Sequence, residues 1–172
     1  MTIKLVLPSK EYLDSYLEAC KGFKEHSIAG FHDPDKFNEW KETIFTQYEN
    51  ERAGKNIPEG YVPNTTFWLV DNGEFIGYGE MRHELNEDVS KTYGHLGCVV
   101  RYDKWGQGYG TRLVELLIIE AGKFGLDKVL CTCDVNNTAS IHIIEKLGGK
   151  YSETVELEYG KLKHYWIDTI KE

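Results

Sequence analysis

A segment with three evenly spaced glycines has the residue types best suited to chemistry. Gly106, Gly108 and Gly110 occupy alternate positions between a β-like run and an apolar helical pattern. Glycine lets a backbone approach a ligand closely, and a helix N-terminus offers unpaired N–H groups and a positive dipole end. The spacing predicts a phosphate or pyrophosphate site. The alternative is a tight strand-to-helix turn that holds no ligand.

The glycine spacing restricts which phosphate site this could be. A Walker P-loop is excluded, because no Gly-Lys-Ser/Thr follows the glycines. A dinucleotide site is a closer rival, since Asp134 ends the next strand where a ribose-binding acid would lie. However, the third glycine comes one residue early for that fingerprint, and the chain has one βαβ pattern where a doubly wound sheet needs several.

The surrounding elements are predicted from hydrophobic periodicity and turn residues. A hairpin turn, Asp71-Asn72-Gly73-Glu74, separates two β-rich runs, and Asp33-Pro34 marks a helix start before Phe37, Trp40, Ile44 and Tyr48. Residues 95–135 form a parallel βαβ unit around the glycines. The predicted order is β-α-α-β-β-β-α-β-α-β-β. The expected fold class is therefore α/β, a mixed sheet with helices on both faces, in one domain over residues 1–172.

Composition narrows the function classes. The 172 residues are 41% apolar, with 20 Lys+Arg against 28 Asp+Glu and a net charge of −8. This acidic balance argues against nucleic-acid or anionic-membrane binding and leaves room for a cationic substrate. The apolar stretches are too short to span a membrane, and we expect no signal peptide. The four cysteines show no paired spacing, which indicates reduced thiols in a cytoplasmic protein.

Two motifs resemble the GNAT superfamily of N-acetyltransferases. The segment Trp105-Gly-Gln-Gly-Tyr-Gly110 resembles its acetyl-CoA-binding signature, Gln/Arg-x-x-Gly-x-Gly/Ala, with Gly108 and Gly110 as the two glycines. The stretch from Asn137 to Gly149 resembles the family's Asn-x-x-Ala/Ser-x-x-x-Tyr-Glu-Lys-x-Gly-Phe motif. The run Arg82-His83-x-Leu85-Asn86, with His95 to Arg101, resembles a bacterial, poorly assigned branch of that superfamily.

The resemblance implies a GNAT-like acyl-CoA N-acyltransferase fold, with a mostly antiparallel sheet and one parallel βαβ pair that splays apart. It also implies acetyl transfer from acetyl-CoA to an amine, without a metal. The implied cofactor-binding residues are Cys98, Val99 and Val100 along the pantetheine arm, Gly106, Gln107, Gly108, Tyr109, Gly110 and Thr111 around the pyrophosphate, and Asn137 and Ser140 on the far wall.

Two positions depart from the family pattern. Trp105 stands where Arg or Gln is usual, and we expect an exposed aromatic that covers the loop rather than one that stacks on the cofactor. Ile144 replaces the tyrosine that can protonate the departing thiolate. Replacement acids that the sequence leaves open are Tyr93, Tyr109, Tyr151 and Tyr159, or solvent.

His95 and Glu80 are the candidate catalytic residues. His95 falls near the strand position from which some family members present a glutamate, and it could take the proton of the amine directly or through a water. Its alternative is a hydrogen-bonded histidine at a strand end. Glu80, on the neighbouring strand, could serve as base or as counter-charge, or it could be a solvated residue without a role. Cys98 is better explained by packing than as a nucleophile.

The sequence therefore predicts an acetyl-CoA-dependent N-acetyltransferase acting on a primary amine. The acceptor is expected to be a small cationic molecule, although a peptide amine stays open, as does a homodimer. Two alternatives are an acyl-CoA-binding sensor module without turnover and a dinucleotide-binding oxidoreductase. No structural zinc is expected, because the six histidines lack metal-ligand spacing.

Overall fold

The computed structural model describes residues 2–170 and contains one mixed sheet with helices on both faces. Met1, Lys171 and Glu172, which belong to the predicted domain, lie outside the described residues. The sheet order is β1-β2-β3-β4-β5-β7-β6, and every neighbouring pair is antiparallel except β4 and β5. The strands are β1 (Lys4–Val6), β2 (Asn64–Asp71), β3 (Glu74–Arg82), β4 (Leu96–Val100), β5 (Lys128–Asp134), β6 (Lys150–Leu157) and β7 (Gly160–Asp168). This architecture confirms the predicted fold class.

Six α-helices connect the strands within the described residues. They are α1 (Leu13–Glu25), α2 (Phe37–Trp40), α3 (Ile44–Arg52), α4 (Glu87–Thr92), α5 (Tyr109–Phe124) and α6 (Thr138–Lys146). Between residues 2 and 170, none of the helices is long and apolar enough to cross a membrane.

Each face of the sheet carries its own apolar core. On one face, α5 buries Leu113 and Leu117 against the strands, and α6 adds Ile144. A Cβ at position 79 of β3 would lie 2.5 Å from a Leu117 methyl carbon, so glycine there allows α5 to pack closely. On the other face, α1, α2 and α3 cover the strands, and Tyr16 stacks on Trp68 with ring centroids 4.7 Å apart. The alternation of strand side chains between the faces determines where each site residue points.

Two local elements differ from the sequence prediction. The polar stretch after β3 forms α4, because Asn86 caps it by accepting a hydrogen bond from the Val89 N–H at 2.8 Å and Val89 is buried. The helix predicted to follow Asp33-Pro34 is interrupted after Trp40 and resumes as α3 at Ile44. Both helices still direct Trp40 and Ile44 into the core, as the predicted apolar stripe requires.

Candidate active site

The two parallel strands of the sheet separate beside the glycine segment. β4 and β5 are in register at Leu96 and Cys131, and each is otherwise held by its outer neighbour. β4 pairs with β3 over its whole length, and β5 pairs with β7 from Lys128 to Asp134. Because the outer pairings fix each strand independently, a gap opens between their carboxyl ends. This divergence is the splay that the family resemblance implied.

The backbone of β4 presents alternate residues to this gap. The Arg101 N–H donates to the Ile76 carbonyl at 2.8 Å, so the odd-numbered residues of β4 direct their backbone groups towards β3. Cys98 and Val100 therefore direct theirs towards β5. Val99 directs its backbone groups towards β3, and its side chain packs on the α1 face of the sheet. Of the three predicted pantetheine residues, two present backbone groups to the gap.

The Cys98 side chain is accessible from the gap but is unsuited to nucleophilic attack. The residue is exposed, but partial desolvation of its thiol raises the thiol pKa to about 11. The thiol is therefore protonated at neutral pH, which agrees with a small packing residue at this position.

The glycine loop follows β4 directly and ends at the first turn of α5. Gly106 and Gly108 adopt left-handed φ values of +73° and +86°, which non-glycine residues rarely adopt. A Cβ at either position would meet nothing within 4 Å, so the front of the loop is open. The free N–H groups at the start of the 16-residue helix α5 lie at this opening. The loop can therefore receive an anion, as predicted.

The loop side chains turn back onto the protein. The Gln107 amide donates to the Asp103 carbonyl at 3.1 Å, and the Tyr109 hydroxyl donates to Asp71 at 2.8 Å. Gly110 is a helical residue, and a Cβ there would lie 3.1 Å from an Ile143 methyl carbon of α6. Glycine at this position therefore allows α5 and α6 to pack closely. Thr111 is half-buried on the first turn of α5.

The far wall of the gap is the start of α6, which follows β5 closely. Asn137 is the N-cap of this helix, and its side-chain oxygen accepts the Ser140 N–H at 3.1 Å. Asn137 and Ser140 thus lie at the same edge of the sheet as the glycine loop. The amide Nδ2 of Asn137 and the hydroxyl of Ser140 have no hydrogen-bond partner within residues 2–170, so both can bind a ligand.

Trp105 closes the loop against the end of β4. Its indole N–H donates to the Val100 carbonyl at 2.8 Å, and its ring lies 5.0 Å from that of Tyr102. The side chain is 54% exposed. This matches the expectation of an exposed aromatic that covers the loop.

His95 lies inside the sheet rather than on the wall of the gap. Its backbone N–H donates to the Leu130 carbonyl at 2.7 Å, and its Nδ1 accepts the Leu130 N–H at 2.9 Å. Burial, assisted by the Arg82 cation, lowers its pKa to about 4. The imidazole is therefore neutral near pH 7, with its proton on Nε2. This geometry disfavours the predicted base role and fits the alternative of a hydrogen-bonded histidine at a strand end.

Glu80 lies on β3 directly opposite Gly97 of β4, one residue before Cys98. Arg82 donates to its carboxylate at 2.7 Å, and the two side chains share one face of the sheet. Burial raises the pKa of Glu80 above its ordinary value, Arg82 opposes this rise, and Glu51 of α3 adds to it. A Cβ at position 97 would lie 3.9 Å from the carboxylate, so glycine there leaves that side of Glu80 uncovered.

An aromatic wall continues from Glu80 on the same face. Tyr78, two residues earlier on β3, donates its hydroxyl to the Gly30 carbonyl at 3.1 Å. Its ring lies 5.1 Å from Phe31 in an edge-to-face arrangement. The connection between α1 and α2 therefore reaches across to β3, and it places aromatic surface on the face of the sheet that carries Glu80.

These contacts do not identify the acid that would protonate the departing thiolate. Ile144 is buried in the core against α5, where it has no proton to give. Tyr109 is engaged by Asp71, which raises its pKa. Tyr93 lies under the Arg82 guanidinium, and Tyr151 and Tyr159 are exposed around the β6–β7 hairpin.

Two sets of contacts in this region were not predicted from the sequence. The period-two alternation of β3 places positions 80 and 82 on one face, which could have predicted the Glu80–Arg82 pair. Asp71 and Glu74 were interpreted as turn residues alone, although both bind the glycine loop. Within the described part of the chain, no group of three or more His, Cys, Asp or Glu side chains could hold a metal ion.

Solved structures share this fold at low sequence identity. RimL, a ribosomal alpha-N-protein acetyltransferase in complex with coenzyme A, superposes with a TM-score of 0.72 at 13% identity, covering 98% of this chain and 95% of that one. A spermidine N-acetyltransferase chimera from Vibrio cholerae and a second enzyme gives 0.64 at 15%, covering 98% and 96%. A putative acetyltransferase from Salmonella typhimurium, solved with acetyl-CoA, gives 0.62 at 18%, covering 100% and 96%.

The family assignment comes from a direct match to the sequence. The profile of the acetyltransferase (GNAT) family matches residues 26–149, which is well over half of the chain. The match includes the glycine loop, both splayed strands and the start of α6. The chain therefore belongs to the GNAT family of acetyltransferases.

Proposed function

We propose that this acetyltransferase moves the acetyl group of acetyl-CoA to a primary amine of a small, cationic acceptor by direct attack. The observation that carries the proposal is the gap between β4 and β5, which opens beside two left-handed glycines and the N-terminus of α5. A thioester on a narrow arm fits the gap, and a pyrophosphate fits the loop.

The donor side uses mainly backbone groups. Cys98 and Val100 offer backbone N–H groups along the gap, and residues 106–111 offer theirs to the pyrophosphate. Asn137 and Ser140 contact the arm from the opposite wall. The bound coenzyme A of RimL and the bound acetyl-CoA of the Salmonella protein support this assignment.

The acceptor side uses Glu80 as the base. An ammonium group of the acceptor transfers its proton to the Glu80 carboxylate, directly or through a water, and the freed nitrogen attacks the thioester carbon. Backbone N–H groups facing the gap stabilise the negative oxygen that develops. The carbon–sulfur bond then breaks and the coenzyme leaves as a thiolate. The nitrogen gives up its second proton, to the thiolate or to solvent, and the acceptor becomes an N-acetyl amine. The raised pKa of Glu80 makes it a stronger base than an ordinary carboxylate.

The surroundings of Glu80 also favour a positively charged acceptor. Glu80 and Glu51 are close enough for Glu51 to raise the pKa of Glu80, and the Tyr78 and Phe31 rings lie beside them. Carboxylates and aromatic faces both attract cations. The likeness to a spermidine N-acetyltransferase supports a cationic amine.

The test is acetyl-CoA-dependent thiol release across polyamines, amino sugars, amino acids and a peptide amine. We expect the fastest release with cationic small amines. Glu80→Gln should lower kcat/KM on the order of 10²–10⁴-fold and remove the acidic limb of its pH profile, which lies above the ordinary carboxylate range near pH 4. Glu84→Gln, on the exposed segment after β3, is the matched control and should behave like the unchanged protein.

Two results would contradict the proposal in different ways. Coenzyme A binding without thiol release from any amine would favour a binding module without turnover, which the buried Ile144 at the usual tyrosine position keeps open. Retention of the acidic limb in Glu80→Gln would remove Glu80 from the base role.

A further inference from the structure

The tip of the β2–β3 hairpin contacts the glycine loop near both of its ends. Asp71 and Glu74 are register partners that flank the two-residue turn. Glu74 accepts hydrogen bonds from Arg101 at 3.0 Å and from Lys104 at 2.8 Å, where the loop begins. Asp71 accepts the Tyr109 hydroxyl at 2.8 Å, where α5 begins. One turn thus binds the chain before and after the two left-handed glycines.

The contact at the start of the loop is multiple and partly buried. The Arg101 side chain is 14% exposed, and it also donates to the Phe75 carbonyl at 3.2 Å and to Asp103 at 3.0 Å. Its charge, like that of Lys104, is therefore matched by carboxylates of the protein. These cations hold the loop in place instead of supplying free positive charge for a phosphate.

The contact between Asp71 and Tyr109, at the start of α5, costs folding free energy that packing alone does not explain. Asp71 is 6% exposed, and its second oxygen, Oδ1, has no hydrogen-bond partner in the part of the chain described. Burying a carboxylate with incomplete hydrogen bonding costs free energy, and an apolar pair of similar shape would avoid that cost. The contact does, however, fix the first residue of α5, and with it the direction of the N–H groups at the loop.

We propose that Asp71 and Glu74 are positioning residues that hold the loop between Arg101 and Tyr109 in its anion-receiving shape. This hairpin brace, the pair Asp71 and Glu74, sets the affinity for the nucleotide half of the donor and leaves the pantetheine half unaffected. The inference rests on the proposed use of coenzyme A. Its physical basis is preorganisation: backbone donors already aligned lose less entropy when the pyrophosphate binds.

The test separates the two halves of the donor. Dissociation constants are measured by calorimetry for coenzyme A and, by competition, for pantetheine, which has the thiol arm but no pyrophosphate. The variants are Glu74→Ala, Tyr109→Phe and Asp71→Asn. Glu87→Ala, which breaks an exposed ion pair with Lys91 on α4, is the matched control. Thermal unfolding establishes that each variant is folded, and Glu74→Gln replaces Glu74→Ala if the latter is not.

The hairpin brace predicts that the variants lose affinity for coenzyme A but keep their affinity for pantetheine. Glu74→Ala and Tyr109→Phe should raise the dissociation constant of coenzyme A about tenfold, and that of pantetheine less than about twofold. Asp71→Asn keeps an oxygen that can accept the Tyr109 hydroxyl, so it should bind coenzyme A almost as well as the unchanged protein.

Three outcomes would overturn the inference. One is an equal loss of affinity for both ligands, which would indicate general damage. Another is unchanged coenzyme A affinity in Glu74→Ala and Tyr109→Phe. The third is an unchanged protein that does not bind coenzyme A at all, which would also overturn the proposed function. In the first two outcomes the proposed function survives, so the two failures are distinguishable.

Discussion

Acidification should destabilise this protein through His95 by an amount that can be worked out from its environment. Burial lowers the His95 pKa to about 4, whereas an unfolded histidine has a pKa near 6.5. The stabilising contribution is fully present above the unfolded value, and it is lost as the pH falls from about 6.5 to about 4, because only the unfolded chain binds the proton there. At about 1.36 kcal/mol per pKa unit, the loss amounts to roughly 3 kcal/mol.

The perturbation is His95→Phe, which keeps an aromatic ring but removes the imidazole that binds the proton. It also leaves the buried Leu130 N–H without its side-chain acceptor, so the variant should be about 1–3 kcal/mol less stable at pH 7. Between pH 7 and pH 4 the unchanged protein should lose roughly 3 kcal/mol more than the variant, so the stability difference should disappear or change sign. His142→Phe, at an exposed position on α6, is the control and should leave the pH dependence intact.

The assay is urea unfolding followed by tryptophan fluorescence at several pH values, together with the pH profile of kcat/KM. A stability difference that is the same at pH 4.5 and pH 7 would refute the buried, neutral histidine. Loss of an acidic limb near pH 6–7 in His95→Phe, with retention of that limb in Glu80→Gln, would restore His95 as the base.

Three further outcomes follow from the donor and acceptor regions. Gly108→Val should abolish coenzyme A binding by calorimetry while circular dichroism shows a folded protein, because valine resists a φ of +86° and the unliganded loop is open in front of it. Trp105→Phe loses the bond to the Val100 carbonyl, worth about 1 kcal/mol, so the KM for acetyl-CoA should rise about fivefold. The kcat/KM for a cationic acceptor should fall as salt rises from about 0.01 M to 1 M, whereas that for a neutral amine should not; equal salt dependence would contradict the charged acceptor region.

Much of the fold was predictable because its signals are local. The turn Asp71-Asn72-Gly73-Glu74 predicted the β2–β3 hairpin, and the apolar pattern after Gly110 predicted a helix packed on a sheet, both of which the structure confirms. The failures also have local causes. The stretch after Asn86 has one buried apolar residue, Val89, so its hydrophobic periodicity is too weak to indicate a helix.

The site was predictable only where a residue type fixes a backbone shape. Gly106 and Gly108 are left-handed, as a glycine-rich loop suggests, but Gly110 is helical and packs on Ile143. Likewise, Cys98 and Val99 are adjacent in sequence and both pair with β3, yet their side chains face opposite sides of the sheet. Strand register decides such matters, and register depends on long-range pairing that a sequence alone does not reveal.

Arg82 explains why the two candidate bases, Glu80 and His95, differ in charge. Its guanidinium donates to Glu80 and helps to keep that half-buried carboxylate ionised, and the same cation disfavours a second positive charge on His95. The imidazole is further committed to the backbone of β5, which leaves it no acceptor nitrogen to offer a substrate. We therefore propose the carboxylate opposite Gly97, rather than His95, as the group that takes the proton of the ammonium group. The lateral order of β3, β4 and β5 sets this assignment, because it places one ionisable side chain above the sheet and the other within its hydrogen-bond network.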